Sequence, residues 1–193
     1  MKLNDQYWDK RYQENNTGWD IGAASTPIVE YLNSLENKEL KILIPGCGNA
    51  HEAVWAHQNG FKNIHVLDYA PSAIQNFKQK NPVFNTNHLH QVDFFEHTGE
   101  YDLIIEQTFF CAIDPSLRKK YAEKMHSLLN TNGVLMGLLF DAAFENGPPF
   151  GGNKEEYTEY FSSLFTPLHF EKCYNSIKPR EGKELFIEFK KIS

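Results

Sequence analysis

The stretch Leu40-Lys41-Ile42-Leu43-Ile44-Pro45-Gly46-Cys47-Gly48-Asn49-Ala50 decides how this chain folds. Leu40 to Ile44 is a short, mostly apolar run of strand type, and Pro45-Gly46-Cys47-Gly48 closes it with a sharp turn. Ala50 to Asn59 then carries a modest helical face through Ala53, Val54 and Ala56 before Gly60. Strand, tight loop and helix recur at once. Asn63 to Leu67 is a second β-type run, closed by Asp68, and Pro71 sits in the first turn of a helix carrying Ile74 and Phe77.

Working outward, further strands are expected at His88 to Val92, Tyr101 to Ile105, Val134 to Phe140, Phe170 to Tyr174 and Leu185 to Phe189. Asp114-Pro115 starts a crossover helix whose stripe is Leu117, Tyr121, Met125 and Leu128, ending near Asn132-Gly133. Ile28, Leu32 and Leu35 mark a helix after Thr26-Pro27, and Tyr157, Phe161 and Leu164 mark another. Strands that alternate with helices and read as apolar on both faces imply a doubly wound α/β domain with a mostly parallel sheet. The last two strand runs, separated by a polar segment without a helical stripe, are expected as an antiparallel pair at one edge.

No repeat or linker divides the chain, so the expectation is one domain, 1–193, with residues 1–36 as an N-terminal lid and first helix and 37–193 as the sheet core. Lys and Arg number 19 against 25 Asp and Glu, a net charge of -6 without a basic run, which argues against a nucleic-acid partner. Cys47, Cys111 and Cys173 have neither disulfide-framework nor zinc-ribbon spacing. The start of the chain is polar and aromatic, and the purest apolar run, Val134 to Phe140, is too short to span a bilayer. A reduced cytoplasmic location is expected, with no membrane partner. The length also leaves little room for a separate recognition domain, so a small acceptor is expected.

In sheets of this type ligands bind beyond the carboxyl ends of the strands, so the residues just after each strand carry the chemistry. Gly46 and Gly48 permit close approach of a ligand to bare backbone, although a GxG suits a plain strand-to-helix turn too. Asp68, twenty residues beyond Gly48, can accept from both hydroxyls of a ribose or cap the helix at Pro71. Asp93-Phe94-Phe95 offers an acceptor for an exocyclic amine and an aromatic face, or is a plain loop. Glu106-Gln107-Thr108-Phe109-Phe110 gathers polar and aromatic groups where a transferred group would lie.

These features suit an adenine nucleoside. A nicotinamide dinucleotide needs a third small residue beside the pyrophosphate, and that position is His51. A sulfonium amino acid without phosphate needs only the turn and a carboxylate partner, which favours S-adenosylmethionine; no phosphate-binding GxxxxGK[ST] occurs. Cys47 and Cys111 have no basic neighbour in sequence and read as structural, and His88 and His90 have no evident partners for a metal.

The blocks Trp8-Asp9-Lys10-Arg11-Tyr12, Thr17-Gly18-Trp19-Asp20-Ile21-Gly22, Thr26-Pro27 and Leu43-Ile44-Pro45-Gly46-Cys47-Gly48 together resemble the thiopurine S-methyltransferase family. Phe109-Phe110-Cys111-Ala112-Ile113 with Pro115, and Gly147-Pro148-Pro149-Phe150, are similar to its thiol, thiocyanate and halide methyltransferase branch. The resemblance spans nearly the whole chain, with its blocks in order. It implies a seven-stranded, mostly parallel Rossmann-like methyltransferase sheet with an antiparallel edge strand and an N-terminal helical lid.

By position, the resemblance implies that S-adenosylmethionine is covered by Trp8, Tyr12 and Trp19, turned on Gly46, held at the ribose by Asp68 and at the adenine by Asp93 and Phe94, with Gln107 near the sulfonium. Phe110, Phe150 and Arg180 are implied on the acceptor side, Arg180 as a holder of an anionic substrate or else an exposed charge. Tyr12 stands where the branch often has Trp, and Gln107 where it often has Tyr. Phe150 replaces the Tyr that usually ends the GPP block, which weighs against halide and suits an apolar or aromatic thiol. An aromatic cover attracts a sulfonium cation and excludes water. Methyl transfer from an activated carbon is an in-line displacement, and an anionic nucleophile needs no general base, so no catalytic side chain and no metal is assigned. The expected function is methyl transfer to a small soft nucleophile: thiol, thiopurine, thiocyanate, hydrosulfide or halide. Two alternatives stand beside it, a cofactor-binding sensor or interaction module without turnover and a nucleotide-binding oxidoreductase.

Overall fold

The structure, a computed structural model, describes residues 3–192; Met1, Lys2 and Ser193 lie outside the described residues. The strands β1 (Ile42–Pro45), β2 (Ile64–Asp68), β3 (Leu89–Gln91), β4 (Tyr101–Gln107), β5 (Leu129–Phe140), β6 (Phe165–Lys172) and β7 (Glu184–Lys191) form a seven-stranded sheet in the order β3-β2-β1-β4-β5-β7-β6. The helices are α1 (Asp5–Gln13), α2 (Thr26–Ser34), α3 (His51–Gln58), α4 (Pro71–Lys80), α5 (Arg118–Leu128) and α6 (Lys154–Phe161). Among the described residues no helix is long and apolar enough to cross a membrane. The chain divides into two compact units, Met1–His97 and Thr98–Ser193.

In the first unit, β2 pairs in parallel with both β1 and β3. Every residue of β1 and β2 is buried, as expected of parallel strands covered on both faces. Pro27 and Pro71 sit in the first turns of α2 and α4, where a missing N–H and a fixed φ cost nothing. α2 buries Pro27, Ile28 and Leu32, and α4 buries Ala73, Ile74 and Phe77. Leu35 is the C-cap of α2 rather than part of its stripe.

In the second unit, β4 and β5 are parallel, and β7 runs antiparallel to both β5 and β6. The antiparallel pair expected at this edge is therefore ordered with β7 inside and β6 outermost. Phe161, Phe165 and Phe189 pack ring against ring with centroids 5.3 to 6.2 Å apart and supply much of this core. Each is at most 2 % exposed, which contributes roughly 1.5–3 kcal/mol per ring.

Several boundaries differ from the sequence expectation for identifiable reasons. β4 continues through Glu106 to Gln107, so Glu106 is a strand residue with no exposed surface. β5 starts at Leu129, directly after α5, and runs through the polar Asn130-Thr131-Asn132-Gly133 stretch that reads as a helix end. Leu117 precedes α5 in a short turn of 3-10 helix and is 37 % exposed. β6 begins five residues early because an outer strand with mostly exposed side chains gives no apolar signal, and its pairing shifts register between Pro167 and His169.

A stack of imidazoles occupies the β2–β3 edge. His65 on β2 lies ring to ring with His88 at 4.1 Å and with His90 of β3 at 5.2 Å, and His90 meets His97 at 4.8 Å. His65 Nδ1 is 2.9 Å from His90 Nε2, and its Nε2 is 3.0 Å from Asn63 Oδ1. No group of three or more ligating side chains among the described residues could hold a metal. Burial, then the neighbouring imidazoles and Lys41, push His65 down to about 3 from 6.5 and lower His90 as well; burial lowers His88.

The folded chain thus binds fewer protons than the unfolded chain below the ordinary histidine range, so this cluster weakens the fold as pH falls. Melting temperatures of the native chain and His65→Phe, compared at about pH 7 and about pH 5, should show the smaller acid-induced drop in the variant. Equal drops would mean that the stack carries no such linkage.

Candidate active site

The turn after β1 is held in a conformation that L side chains resist. Gly46 and Gly48 have φ of 59° and 51°, and Ala50 follows at 49°. Cys47 N–H donates to Leu67 O at 3.0 Å, and Gly48 N–H donates to Asp68 Oδ2 at 3.0 Å. Asp68 Oδ1 accepts from Ala70 N–H at 3.0 Å. The carboxyl is 6 % exposed. Burial pushes its pKa up to about 6, against the downward pull of the backbone donors of Ala70, Gly48 and Tyr69. Asp68 thus closes β2, precedes α4 and clasps the Gly48 turn. Of the two roles read from the sequence, the one at the helix entry is met by the oxygen turned to Ala70.

The three lid aromatics come together. Trp19 packs edge-on to Trp8 at 5.4 Å and to Tyr12 at 5.8 Å between centroids. The Trp19 indole donates to the Tyr12 hydroxyl, and the Trp8 indole to the Tyr69 hydroxyl, which itself donates to Leu3 O at 2.8 Å. The Tyr12 hydroxyl rests against the glycine turn: a Cβ on Gly48 would stand 2.7 Å from it. Burial, with the nearby Asp68 charge, raises the Tyr12 phenol. Arg11 lies over the Trp19 ring at 5.0 Å, so this cluster already attracts a cation. Trp8, Tyr12 and Trp19 all remain half-buried, unlike ordinary core aromatics.

Polar contacts that sequence reasoning missed tie the lid down. Asp20 accepts from the Asn49 side chain and from Gly22 N–H at 2.8 Å, and its Oδ1 is 2.7 Å from His51 Nε2. Burial works upward on Asp20, but these donors together lower its pKa. Asp9 Oδ1 accepts from Ser72 N–H at 2.7 Å, and Glu52 Oε1 from Ser25 N–H at 3.0 Å. The signal was present in the alternation of Asp9 and Asp20 with the lid aromatics, and in a histidine at a position where only size was weighed. At the entry to α3, where a pyrophosphate would sit in a dinucleotide site, the facing group is the Asp20 carboxylate.

After β3, Asp93 is exposed, and its Oδ1 accepts from Phe95 N–H at 2.8 Å. Phe94 is 3 % exposed and meets Phe95 edge-on at 5.2 Å, so Phe95, half-buried, shows the more open face.

In the second unit Gln107 is half-buried at the end of β4, and its Oε1 is buried without a hydrogen-bond partner among the described residues. Phe110 is buried in a short turn of 3-10 helix, Phe110–Ala112. Phe150 N–H donates to Cys111 O at 2.7 Å, which joins the Gly147–Gly152 loop to that turn. Arg118, buried on α5, crosses the same junction. It donates to Glu156 Oε1 at 2.6 Å and to Gly151 O at 2.8 Å, with its guanidinium 4.8 Å from the centre of the Phe110 ring. Arg180 is 8 % exposed, not a surface charge, with Nη1 3.6 Å from Glu184 Oε1. Cys47 and Cys111 are free thiols raised chiefly by burial, Cys111 to about 12, so neither is an activated nucleophile.

Comparison with known proteins identifies the family. The sequence model described as Thiopurine S-methyltransferase (TPMT) matches residues 3–190. The chain belongs to the thiopurine S-methyltransferase family, whose members are S-adenosylmethionine-dependent methyltransferases. Probable thiol methyltransferase 2 of Arabidopsis thaliana is 31% identical, covering 96% of this chain and 85% of the relative. Thiocyanate methyltransferase 1 of the same plant is 30% identical with the same coverage. Among solved structures, the Burkholderia thailandensis 1,6-didemethyltoxoflavin-N1-methyltransferase, crystallised with S-adenosylhomocysteine, matches with a TM-score of 0.76 at 16% identity, covering 99% of this chain and 88% of that one.

The residues of this family member fit the donor. A glycine turn that no Cβ could share with Tyr12 and a buried carboxyl beside it are the steric and polar features a sulfonium nucleoside calls for. Gly48→Ala adds a left-handed alanine, at about 1–2 kcal/mol, and drives its methyl into Tyr12. The substitution should lower the melting temperature, and Tyr12→Phe in the same chain should recover part of the loss. Strictly additive losses in a double-mutant cycle would show that the hydroxyl does not press on the turn.

Proposed function

We propose that this enzyme moves a methyl group from S-adenosylmethionine to a small sulfur nucleophile, with an apolar or aromatic thiol the best-suited acceptor. The observation that carries the reading is the buried Asp68 carboxyl clasping the positive-φ Gly48 turn under the Tyr12 hydroxyl. Asp68 would accept from the ribose hydroxyls, Gly46 would give the methionine portion access to backbone, Asp93 and the backbone of Phe94, with the more open Phe95 ring beside it, would meet the adenine, and Gln107 would offer its oxygen near the sulfonium. When bound, the donor supplies a methyl group already activated by its positively charged sulfur.

The work left to the chain is binding, alignment and exclusion of water. Trp8, Tyr12 and Trp19 would turn π faces to the cation and cover it. On the acceptor side Phe110 and Phe150 would line an aromatic wall, held by Arg118 through the Gly151 carbonyl. An aromatic thiol loses its proton to solvent near neutral pH, so its sulfur arrives with an available electron pair and needs no base. That pair forms the new sulfur–carbon bond as the methyl–sulfonium bond breaks.

Arg180 is better supported as a partner of Glu184 than as an anion holder, because the two approach within 3.6 Å away from water. The free cysteines Cys47, Cys111 and Cys173 fit a reducing, cytoplasmic setting, which belongs to the same reading. The acceptor is proposed to be a small molecule, such as the substrate bound in the Burkholderia thailandensis enzyme.

Calorimetry with S-adenosylhomocysteine tests the donor side. Asp68→Ala removes two charge-assisted hydrogen bonds and should weaken binding by about 100-fold; unchanged affinity would sink the assignment. On the acceptor side, thiophenol should be methylated with higher kcat/KM than iodide, and Phe150→Tyr, which restores a phenol, should raise the iodide value relative to thiophenol. A wild-type preference for iodide would overturn the thiol assignment, and turnover of none of thiophenol, a thiopurine, thiocyanate, hydrosulfide or iodide would leave a binding module.

A further inference from the structure

Glu106 is a carboxyl with no exposed surface near the end of β4, directly after the apolar run Leu103-Ile104-Ile105. Burial raises its pKa to about 7, and no cation is paired with it among the described residues. Burying such a group is costly unless its oxygens are fully used. Its Oε1 accepts from the backbone N–H groups of both Phe109, at 2.7 Å, and Phe110, at 2.9 Å. Its Oε2 accepts from the Tyr121 hydroxyl of α5.

These donors lie on the turn that carries the acceptor wall. Thr108 enters that turn with φ of 56°, a left-handed conformation that a β-branched residue avoids. Directly after it, the two N–H groups that Glu106 accepts fix where the Phe109 and Phe110 backbones stand. The Phe110 ring is then wedged edge-on against Tyr121 at 4.9 Å and Tyr157 at 5.3 Å. The neighbouring strand is shaped to fit: at Gly137 of β5, with φ of 156°, a Cβ would lie 2.1 Å from Glu106 O and 2.6 Å from Glu106 Cβ.

We propose that Glu106 is a positioning residue for the methyl acceptor, acting through the strained Thr108-Phe109-Phe110 turn and braced by Tyr121. The inference rests on the acceptor-wall reading of Phe110 and Phe150 given above. Glu106 does not touch the reacting atoms; it sets the place of the turn whose buried Phe110 ring backs the wall, with half-buried Phe150 as its open face.

The test compares Glu106→Gln, Glu106→Ala and Tyr121→Phe with the native enzyme, using thiophenol as acceptor. The expected result is a thiophenol KM raised by about tenfold or more in Glu106→Ala, the loss of roughly one useful hydrogen bond, with kcat changed much less. Glu106→Gln keeps an acceptor for the two N–H groups and should rescue most of the KM. Tyr121→Phe should fall between them and carries the test where Glu106→Ala does not fold. The Kd for S-adenosylhomocysteine should stay native in every variant, a split that general loosening of the fold would not produce. An unchanged KM in Glu106→Ala and Tyr121→Phe, or a fall in donor affinity parallel to the rise in KM, overturns the positioning role alone. A native enzyme that binds S-adenosylhomocysteine yet methylates none of the acceptors overturns the functional reading, and this inference with it.

Discussion

The Asp68 carboxyl is cut off from water, and a buried carboxyl persists only where donors replace the solvent it has lost. Those donors are the N–H groups of Gly48 and Ala70, which point inward only because the chain turns sharply at both places. The first turn needs positive φ at Gly46 and Gly48 and pushes Ala50 into the same region. The second turn hands the chain to α4, with Pro71 in its first turn. One desolvated group therefore couples the end of β2, the loop after β1 and the entry to a helix, and it leaves acceptor capacity on the same carboxylate for a ligand's hydroxyls.

The lid follows from what these two helices lack. Neither α3 nor α4 has a side-chain cap at its own N-cap, since Ala50 and Ala70 occupy those positions. An uncapped helix start carries unsatisfied N–H groups and a partial positive charge, which attract carboxylates. Lid residues provide them: Asp9 reaches Ser72 N–H, and Asp20 meets Asn49 and His51 at the start of α3. The aromatic residues that would cover a cation are thus carried on a segment anchored by its acids. Tyr12, pressed on Gly48, and Trp8, hydrogen-bonded to Tyr69, join the apolar and polar halves of the same latch.

Much of this was legible before any coordinates, and the limits have physical causes. Strands buried on both faces, β1 and β2, announce themselves as apolar runs, and prolines in the first turns of α2 and α4 mark where helices begin. The Gly46, Gly48 and Asp68 pattern could be read because turn geometry demands particular residue types. β6 was misplaced because an exposed outer strand has no pattern to read, and the start of β5 was hidden under residues that usually end helices. At the site, Trp8, Tyr12 and Trp19 were recognised together, but the acids that fasten them were not. Hydrogen bonds between Asp20 and His51, or between Asp9 and Ser72, join residues dozens of positions apart, and no local period encodes them. Arg180 read as an anion holder or else an exposed charge for the same reason, since its partner Glu184 declares itself only when both are buried.

Under the proposed function, donor recognition and acceptor recognition would be built by different means in this chain. The donor side uses backbone geometry, which tolerates few changes, because a glycine at positive φ and a carboxyl with fixed donors cannot be exchanged without strain or an unsatisfied charge. The proposed acceptor side uses two loops, Thr108–Ala112 and Gly147–Gly152, which are buried or half-buried except at Pro149. The support there is buried: Glu106 holds the first loop by its N–H groups, and Arg118 holds the second by its carbonyl oxygens. The Phe150 N–H bond to Cys111 O then locks one loop to the other, so a change of side chain at Phe150 alters the wall's chemistry without moving its backbone. Under that reading, such a division would let one fold and one donor serve different acceptors, because the groups that keep the loops in place would not be the groups that meet the substrate.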